Sequence, residues 1–298
     1  MIVLAALEGG LRAYHWFRMR DADRRLPPVE QRCFIPSSDP ELLYEHNPGW
    51  RDEAYSVNSH GMPDREVTME KPAGVVRIAF VGDSITDNFH LTPREQSYVR
   101  VLQRLLEQAI GDRGSYECLN FGVSGYGIRQ LLRTAETRVR RFDPDLVVVQ
   151  VGLNDPYPSD FKHREFGPKR TLLWAFLSRR VRNARFRADS LVERLYDAEG
   201  LKNVHAGLQG LGAIDRNGTP VLVVLFPYLH RPAYDEWGFA AYHETWRREA
   251  RSAGLAYLDL YETFLQAQLI DDRWPKDPIH PDARGHEVAA GALLEELK

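Results

Sequence analysis

The sequence is poor in cysteine, in long apolar runs and in excess charge of either sign. Its 298 residues include two cysteines, Cys33 and Cys118, which are too few for a disulfide framework. Cys118 lies in a predicted strand, where we expect it to be a small buried apolar residue. The net charge of −3 predicts no general attraction to nucleic acid. With 43% hydrophobic and 27% charged residues, the composition is typical of a globular protein with a substantial core.

The N-terminal stretch is apolar at first but too short to span a membrane. It reaches Glu8 after seven residues, whereas a spanning helix needs roughly 20 apolar residues. Three interpretations remain open: an amphipathic helix packed on the protein, the stub of a membrane anchor, or a helix lying on a membrane surface. In the last case Arg12, Arg18 and Arg20 would lie near its polar face.

Two regions follow from the pattern of the chain. Residues 1–72 are predicted to form an N-terminal helix and an irregular arm packed on the main domain. The arm, residues 21–72, is rich in Pro, Asp, Arg and Glu and lacks long periodic runs. The one weak strand signal of the arm is "AYSVNSHGM", residues 54–62. Residues 73–298 form the predicted main domain.

The main domain alternates short apolar runs with helical patterns. Its five predicted strands are "VVRIAFVG", "YECLNFG", "DLVVVQVG", "TPVLVVLFP" and "LAYLDL". One helical pattern has Pro93 near its start and Gly111 after its end, and a final helix is predicted near Ala283–Leu297. This alternation predicts an α/β fold with a doubly wound, mostly parallel, five-stranded sheet.

A long connection interrupts the alternation at about 157–197, between the third strand and the helix that starts near Ala198. We interpret it as a basic helical insertion or lid, because ordinary connections are shorter. Residues 162–187 hold nine Lys or Arg and one acidic residue, with aromatic residues interleaved. Two interpretations remain open: a solvated helix face with core aromatics, or a basic, apolar surface that meets an anionic polymer or a membrane.

Polar clusters follow four of the five predicted strands. They are Gly82–Ser84 after the first strand, Asn120–Gly125 after the second, Gly152–Asp155 after the third, and Asp277 with His280 after the fifth. Because ligands bind beyond the carboxyl ends of parallel strands, we expect all four clusters to meet at one edge of the sheet.

These residue types fit acyl transfer. A serine hydroxyl is a poor nucleophile until a base removes its proton, and histidine suits that task, so Ser84 and His280 form the candidate pair. Asp277, three residues before His280, can hold the other imidazole nitrogen and stabilise the imidazolium. Candidate donors to the oxyanion are the backbone N–H groups of Ser84 and Gly125 and the side-chain amide of Asn154. Each cluster is weak evidence alone, since Asp, Ser and Asn are common turn residues.

The segments "FVGDSIT", "NFGVSGYG", "VGLND" and "DPIH" resemble, in order, the four blocks of the SGNH (GDSL) hydrolase superfamily. The resemblance covers roughly residues 75–298. It implies a three-layer α/β/α sandwich, a Ser84–His280–Asp277 triad, oxyanion donors at Ser84, Gly125 and Asn154, and no metal or cofactor. The lead-in "VNSHGMPDRE" resembles the arm of many bacterial, often envelope-associated members, which favours an envelope location, such as the periplasm, over the cytoplasm.

Two features depart from the family pattern. Asn88 stands where many members have glycine four residues after the serine, and asparagine tolerates the left-handed backbone that such a turn needs. The second and larger departure is the basic insertion after "GLND", so the resemblance by itself does not assign the substrate of any relative to this chain.

Other polar residues near the blocks have less specific roles. Trp274 and Asp155 are candidates for substrate binding, and Asp155 has an alternative role as a capping or solvent-facing residue. Asp83 and Asn120 are expected to hold their own loops together, and His286 is expected to pack inside the last helix.

The sequence therefore predicts a serine esterase that hydrolyses carboxylic esters, with short acyl groups preferred because no long apolar groove is evident. Its substrate would be a small-molecule or glycan ester, including O-acetyl groups on carbohydrate. Three alternatives remain open: an O-acyltransferase that moves an acetyl group to a cell-envelope glycan, a lipase or lysophospholipase at a membrane surface, and a non-enzymatic binding module. Contact with a membrane surface would use the N-terminal helix or the basic insertion.

Overall fold

The computed structural model describes residues 8–10, 12–13, 27–110, 115–157, 192, 195–236, 238–273 and 275–298. Most of the predicted N-terminal helix and of the basic insertion lies outside these residues, and so does Trp274. Over the described ranges, no helix is both long enough and apolar enough to cross a membrane.

A five-stranded parallel sheet forms the centre of the fold, as predicted. Two short strands precede it in the arm, and the strands in chain order are β1 (Phe34–Pro36), β2 (Tyr44–His46), β3 (Val75–Val81), β4 (Ser115–Asn120), β5 (Leu146–Val151), β6 (Val221–Leu225) and β7 (Ala256–Asp259). The sheet order is β4-β3-β5-β6-β7, with every neighbouring pair parallel. All carboxyl ends therefore lie at one edge, which brings the loops after β3, β4 and β5 together.

Helices cover both faces of this sheet. The α-helices are α1 (Ser84–Asp87), α2 (Tyr98–Ile110), α3 (Ile128–Thr137), α4 (Ala198–Arg216), α5 (Pro232–Glu236), α6 (Phe239–Ala253), α7 (Tyr261–Gln266) and α8 (Ala283–Glu296), and 3-10 turns lie at Val29–Gln31, Arg94–Gln96 and Val139–Phe142. Helices α2, α7 and α8 pack together, and α3, α4 and α6 form a second group. The strands between them are apolar and largely buried, as a sheet covered on both faces requires. The three-layer α/β/α sandwich is confirmed.

The arm contains an antiparallel pair, β1 with β2, which the sequence analysis did not predict. The strand expected at 54–62 is wrong, because this stretch holds no strand and only an isolated bridge joins Arg51 to Ser56. In this stretch Tyr55 instead donates to Asp87, and the Ser56 carbonyl accepts from Arg94 of the main domain. Strands β1 and β2 are each three residues long, too short for a period-2 pattern to be recognised.

Buried charged residues attach the arm to the sheet. Arg77, in β3, is fully buried and donates to the Glu117 carboxylate at 2.7 Å and to the Met69 carbonyl at 3.0 Å. Asp64 is also buried, and it accepts from the Asn120 N–H at 2.9 Å. A buried ionic group is stable only when it is paired in this way, so these contacts define a single position for the arm. Cys118 is buried in β4, as expected, and Cys33 is buried in the arm.

Candidate active site

Ser84 begins helix α1 directly after β3. Asp83 caps this helix, because its carboxylate accepts from the Ile85 N–H at 3.0 Å. The helix ends after one turn at Asn88, whose φ of 58° is left-handed, as predicted from its place in the glycine position. A side chain at Gly82 would lie 2.0 Å from Thr86 Oγ1, so only glycine allows the helix to approach the strand this closely. The local sequence thus presents Ser84 in a tight strand-to-helix turn.

Ser84, His280 and Asp277 form a continuous hydrogen-bonded chain. The Ser84 hydroxyl lies 2.8 Å from His280 Nε2, and His280 Nδ1 lies 2.7 Å from Asp277 Oδ2. The serine and the histidine are 196 residues apart in the sequence. The Asp277 contact assigns the ring proton to Nδ1, which leaves Nε2 to accept the serine proton.

The loop that carries His280 is held from two sides. Asp277 accepts from the N–H groups of Ile279 and His280 at 2.9 and 3.0 Å, and the Leu229 N–H beyond β6 donates to the Pro278 carbonyl at 2.7 Å. Burial acts to raise the pKa of Asp277, but hydrogen bonds from His280 and Ile279 outweigh it, so the pKa is lowered. The lowered pKa favours the ionised form of Asp277 beside His280 Nδ1.

The three candidate oxyanion donors are partly exposed at the same edge of the sheet. Across the described part of the chain, the N–H groups of Ser84 and Gly125 donate to no other protein atom. The Asn154 amide donates one hydrogen to Asp83 Oδ2 at 3.1 Å, which leaves its second N–H for a ligand. Gly125 has a φ of 84°, a backbone conformation that favours glycine.

The loop after β4 is held by its own polar residues. Asn120 accepts from the Gly122 N–H at 2.8 Å and donates to the Thr86 carbonyl at 2.7 Å. Gly122 is consequently a turn residue and not an oxyanion donor. The Val123 N–H donates to the Gly82 carbonyl at 3.0 Å, so the loop packs directly on the turn that carries Ser84.

The position of Asp155 corrects the expectation that it binds substrate or faces solvent. Asp155 is fully buried, and its carboxylate accepts from the Gly152 N–H. Burial, and then the charge of the nearby Asp83, raise the pKa of Asp155 well above its usual range. Among the residues that the structure describes, its other oxygen, Oδ1, is buried without a hydrogen-bond partner. Asp155 thus lies beneath the loop, while the adjacent Asn154 is partly exposed.

The remaining candidates lie away from the reacting groups or outside the described residues. His286 is fully buried, with its ring stacked on Tyr98 and its Nδ1 accepting from the Tyr98 N–H at 3.2 Å. Trp274 is outside the described residues. Among residues that the structure describes, no three His, Cys, Asp or Glu side chains are grouped as metal ligands.

Two polar contacts at this edge were not foreseen from the sequence. Asp83 orients the candidate oxyanion donor Asn154, in addition to capping α1. Asp87, one turn after Ser84, accepts from the N–H and the hydroxyl of Ser124 in the loop after β4. The only sequence signal was the spacing of the block "GDSITD", in which polar residues recur at the turn and one helical turn later.

Comparison with solved structures relates the fold to known esterases. The chain is similar to Axe2, an acetylxylan esterase from Geobacillus stearothermophilus, at 21% identity and a TM-score of 0.51, covering 74% of this chain and 94% of the other. It is also similar to the acetyl xylan esterase AlAXEase, at 21% identity and a TM-score of 0.51, covering 75% of this chain and 100% of the other. A third similar structure is LAE5, an α/β hydrolase from the metagenome of Lake Arreo, Spain, at 21% identity and a TM-score of 0.51, covering 74% and 94%. At this identity the likeness shows the fold.

The sequence comparison identifies the family. No curated protein is a recognisable sequence relative of the chain. Residues 80–288, however, match the GDSL-like lipase/acylhydrolase family, and this range contains all four blocks and every candidate catalytic residue. The chain belongs to the GDSL-like lipase/acylhydrolase family and is an ester-hydrolysing enzyme.

Proposed function

We propose that this enzyme hydrolyses short-acyl carboxylic esters, including O-acetyl groups on carbohydrate, through a covalent acyl-enzyme. The observation that carries this proposal is the hydrogen-bonded chain from Ser84 through His280 to Asp277, with distances of 2.8 and 2.7 Å. These lengths fit direct proton transfer between the hydroxyl and the imidazole.

In the acylation step, Ser84 Oγ attacks the ester carbonyl carbon while its proton passes to His280 Nε2. The carbonyl oxygen becomes an oxyanion, which the N–H groups of Ser84 and Gly125 and the amide of Asn154 stabilise. Asp277 stabilises the imidazolium. The tetrahedral intermediate then collapses, the carbon–oxygen bond to the alcohol breaks, and His280 returns the proton to the leaving alkoxide.

Deacylation repeats this sequence with water in place of the serine hydroxyl. His280 takes a proton from water, and the resulting hydroxide attacks the acyl carbon on Ser84. The second tetrahedral intermediate releases the carboxylic acid, and the proton on His280 returns to Ser84 Oγ. The same oxyanion donors serve both steps, because the charge develops at the same acyl oxygen.

Two observations support O-acetylated carbohydrate as the substrate class. Two similar structures, Axe2 and AlAXEase, are named as acetylxylan esterases. Among the described residues, the candidate donors at Ser84, Gly125 and Asn154 are partly exposed at the edge of the sheet, which suits an ester carried on a bulky glycan. Acetyl esters present little apolar surface and need no deep apolar pocket.

The test begins with p-nitrophenyl acetate and Ser84→Ala. Wild-type protein should hydrolyse this ester and react with a fluorophosphonate probe, and Ser84→Ala should do neither while keeping the wild-type circular dichroism spectrum and Tm. Ser59→Ala, which alters an exposed hydroxyl bonded to Glu66 at 2.7 Å in the arm, is the matched control and should keep full activity. Wild-type turnover by folded Ser84→Ala protein would refute the mechanism.

A substrate panel distinguishes the proposed reaction from its alternatives. We expect acetyl and butyryl p-nitrophenyl esters to be hydrolysed faster than the palmitoyl ester, and acetate to be released from acetylated xylan oligosaccharides. A preference for palmitoyl esters or lysophospholipids would favour the lipase alternative. If acetylated glycan exceeds free acetate when an acyl donor and a glycan acceptor are present together, the enzyme is an acyltransferase.

A further inference from the structure

The arm contacts the peptide unit that carries the candidate oxyanion donor Gly125. The Tyr44 hydroxyl, in β2, donates to the Ser124 carbonyl oxygen at 2.8 Å, across 80 residues of sequence. The peptide between Ser124 and Gly125 is trans, so its C=O and N–H groups point in opposite directions. Tyr44 therefore fixes one end of the peptide dipole, and the other end is the Gly125 N–H.

The other side of Ser124 is held by the helix that carries the nucleophile. Asp87 accepts from the Ser124 N–H at 2.8 Å, and it also accepts from the Ser124 hydroxyl. The arm supports this carboxylate as well, because the Tyr55 hydroxyl donates to it and His46 Nε2 lies 3.2 Å away. Ser124 is thus fixed on its amide side through α1 and on its carbonyl side through Tyr44.

An external support is needed here because Gly125 itself gives little restraint. Its φ of 84° lies in a region that glycine adopts readily, so the preceding peptide can rotate unless its carbonyl end is bonded. The Gly125 N–H has no other acceptor among the described residues. Its direction depends mainly on the bond at the Ser124 carbonyl.

Tyr44 is itself rigidly placed. It is fully buried, and its ring packs edge-on against Phe34 and Tyr126, with centroid distances of 6.0 and 5.2 Å. The Tyr126 hydroxyl donates to the Tyr44 carbonyl oxygen, so the backbone of β2 is also attached to the loop after β4. The position of the Tyr44 hydroxyl is therefore set by packing and does not depend on solvent.

We propose that Tyr44 is a positioning residue for the oxyanion hole: its hydroxyl holds the Ser124–Gly125 peptide so that the Gly125 N–H faces the developing oxyanion. This inference rests on the proposed serine esterase mechanism. A misaligned donor weakens binding of the transition state more than binding of the neutral ester. Removal of the hydroxyl should therefore lower kcat and leave KM nearly unchanged.

The test is Tyr44→Phe, which removes the hydroxyl and keeps the ring. With p-nitrophenyl acetate we expect kcat to fall about tenfold, less than the loss of a whole oxyanion donor, and KM to stay within about twofold. A trifluoromethyl ketone, which forms a tetrahedral oxyanion adduct on serine, should bind about tenfold more weakly, in parallel with kcat/KM. Hydrolysis and ketone binding at wild-type levels would overturn the inference.

Tyr242→Phe is the matched control for loss of a buried hydroxyl. Tyr242 is also buried, and its hydroxyl donates to a main-chain carbonyl, that of Phe226, at 3.2 Å. We expect a comparable change in Tm in both variants, with the fall in kcat and in ketone affinity confined to Tyr44→Phe. Equal losses of kcat and ketone affinity in both variants would assign the effect to general destabilisation and overturn the inference.

Wild type and Ser84→Ala, assayed alongside, separate this inference from the mechanism on which it rests. Active wild type with inactive Ser84→Ala upholds the mechanism, and Tyr44→Phe then decides the role of the arm alone. Inactive wild type, or active Ser84→Ala, would overturn both proposals.

Discussion

The Asn154 side-chain amide donates at 3.1 Å to the carboxylate of Asp83, the residue that precedes the candidate nucleophile Ser84. Asp83 also accepts from the Ile85 N–H at 3.0 Å, while its own N–H donates to the Gln150 side chain at 3.0 Å. Burial raises the pKa of Asp83, against the lowering effect of the bonds from Ile85 and Asn154. One buried carboxyl therefore sets both the start of α1 and the direction of the Asn154 amide.

Replacing Asp83 by Asn should disturb this arrangement. The new amide places an NH2 group where one carboxylate oxygen was, so it faces either the Ile85 N–H or the Asn154 amide with a donor instead of an acceptor. We expect kcat for p-nitrophenyl acetate to fall about 10- to 100-fold, with a smaller change in KM. Asp215→Asn is the control, since Asp215 accepts from the Val221 N–H at 2.8 Å at the opposite end of β6 and should keep wild-type kcat. An unchanged kcat in Asp83→Asn would contradict the orienting role.

Much of the site could be predicted because a parallel sheet gathers residues that are remote in sequence. Apolar, β-branched runs mark β3 and β5, and each run ends where its polar cluster begins, so Ser84 and Asn154 were assigned to the same edge. The burial of the Asp155 side chain could not be predicted in this way. Adjacent polar residues in a turn point in different directions, and the sequence does not say which of them faces the cleft.

The arm was the least predictable region. Its strands β1 and β2 are each three residues long, and its polar contacts with the main domain are made by single side chains, such as Tyr44 from the arm and Arg77 from β3. Such contacts leave no hydrophobic period in the sequence. The "VNSHGMPDRE" segment showed that the arm resembles that of related proteins but did not show what its side chains touch.

Asp277→Asn tests the acid of the triad. The variant keeps one oxygen acceptor but places an amide beside His280 Nδ1, which favours the tautomer that cannot accept the serine proton. We expect kcat to fall about 10²–10⁴-fold with little change in Tm. Asp272→Asn, an exposed carboxylate in the same loop, 3.8 Å from Arg231, should have wild-type kcat. Comparable activity in the two variants would remove Asp277 from the mechanism.

The burial of His286 predicts that the free energy of unfolding depends on pH. Burial lowers its pKa from 6.5 to about 4, so below pH 6.5 the unfolded chain binds a proton that the folded protein excludes. The free energy of unfolding should therefore fall as the pH drops from about 6.5 to 4, by up to about 3 kcal/mol from this group. His286→Gln keeps an acceptor for the Tyr98 N–H and should show a shallower fall in urea unfolding over this range. Parallel curves for the two proteins would contradict the assignment.

Gly122 and Gly291 offer a matched pair of alanine substitutions that tests how tightly the loop after β4 is packed. A side chain at Gly122 would lie 2.3 Å from the Asp87 backbone N and 2.6 Å from the Thr86 carbonyl carbon, whereas one at Gly291 would meet nothing within 4 Å. We expect Gly122→Ala to lower the free energy of unfolding by about 3 kcal/mol because backbone atoms must move apart. Gly291→Ala, inside α8, should raise it by about 0.5–1 kcal/mol. Equal stabilities, measured by urea unfolding, would show that the loop adapts.

The support at the Ser124 carbonyl has a consequence for how this enzyme can be recombined with its relatives. The family match begins at residue 80, whereas the Tyr44 hydroxyl comes from the arm before it. A chimera joined at the family boundary would inherit all the reacting side chains and lose the hydroxyl beneath the Ser124–Gly125 peptide. The unit to exchange therefore starts before β1, and a relative with a different arm needs another group at that carbonyl.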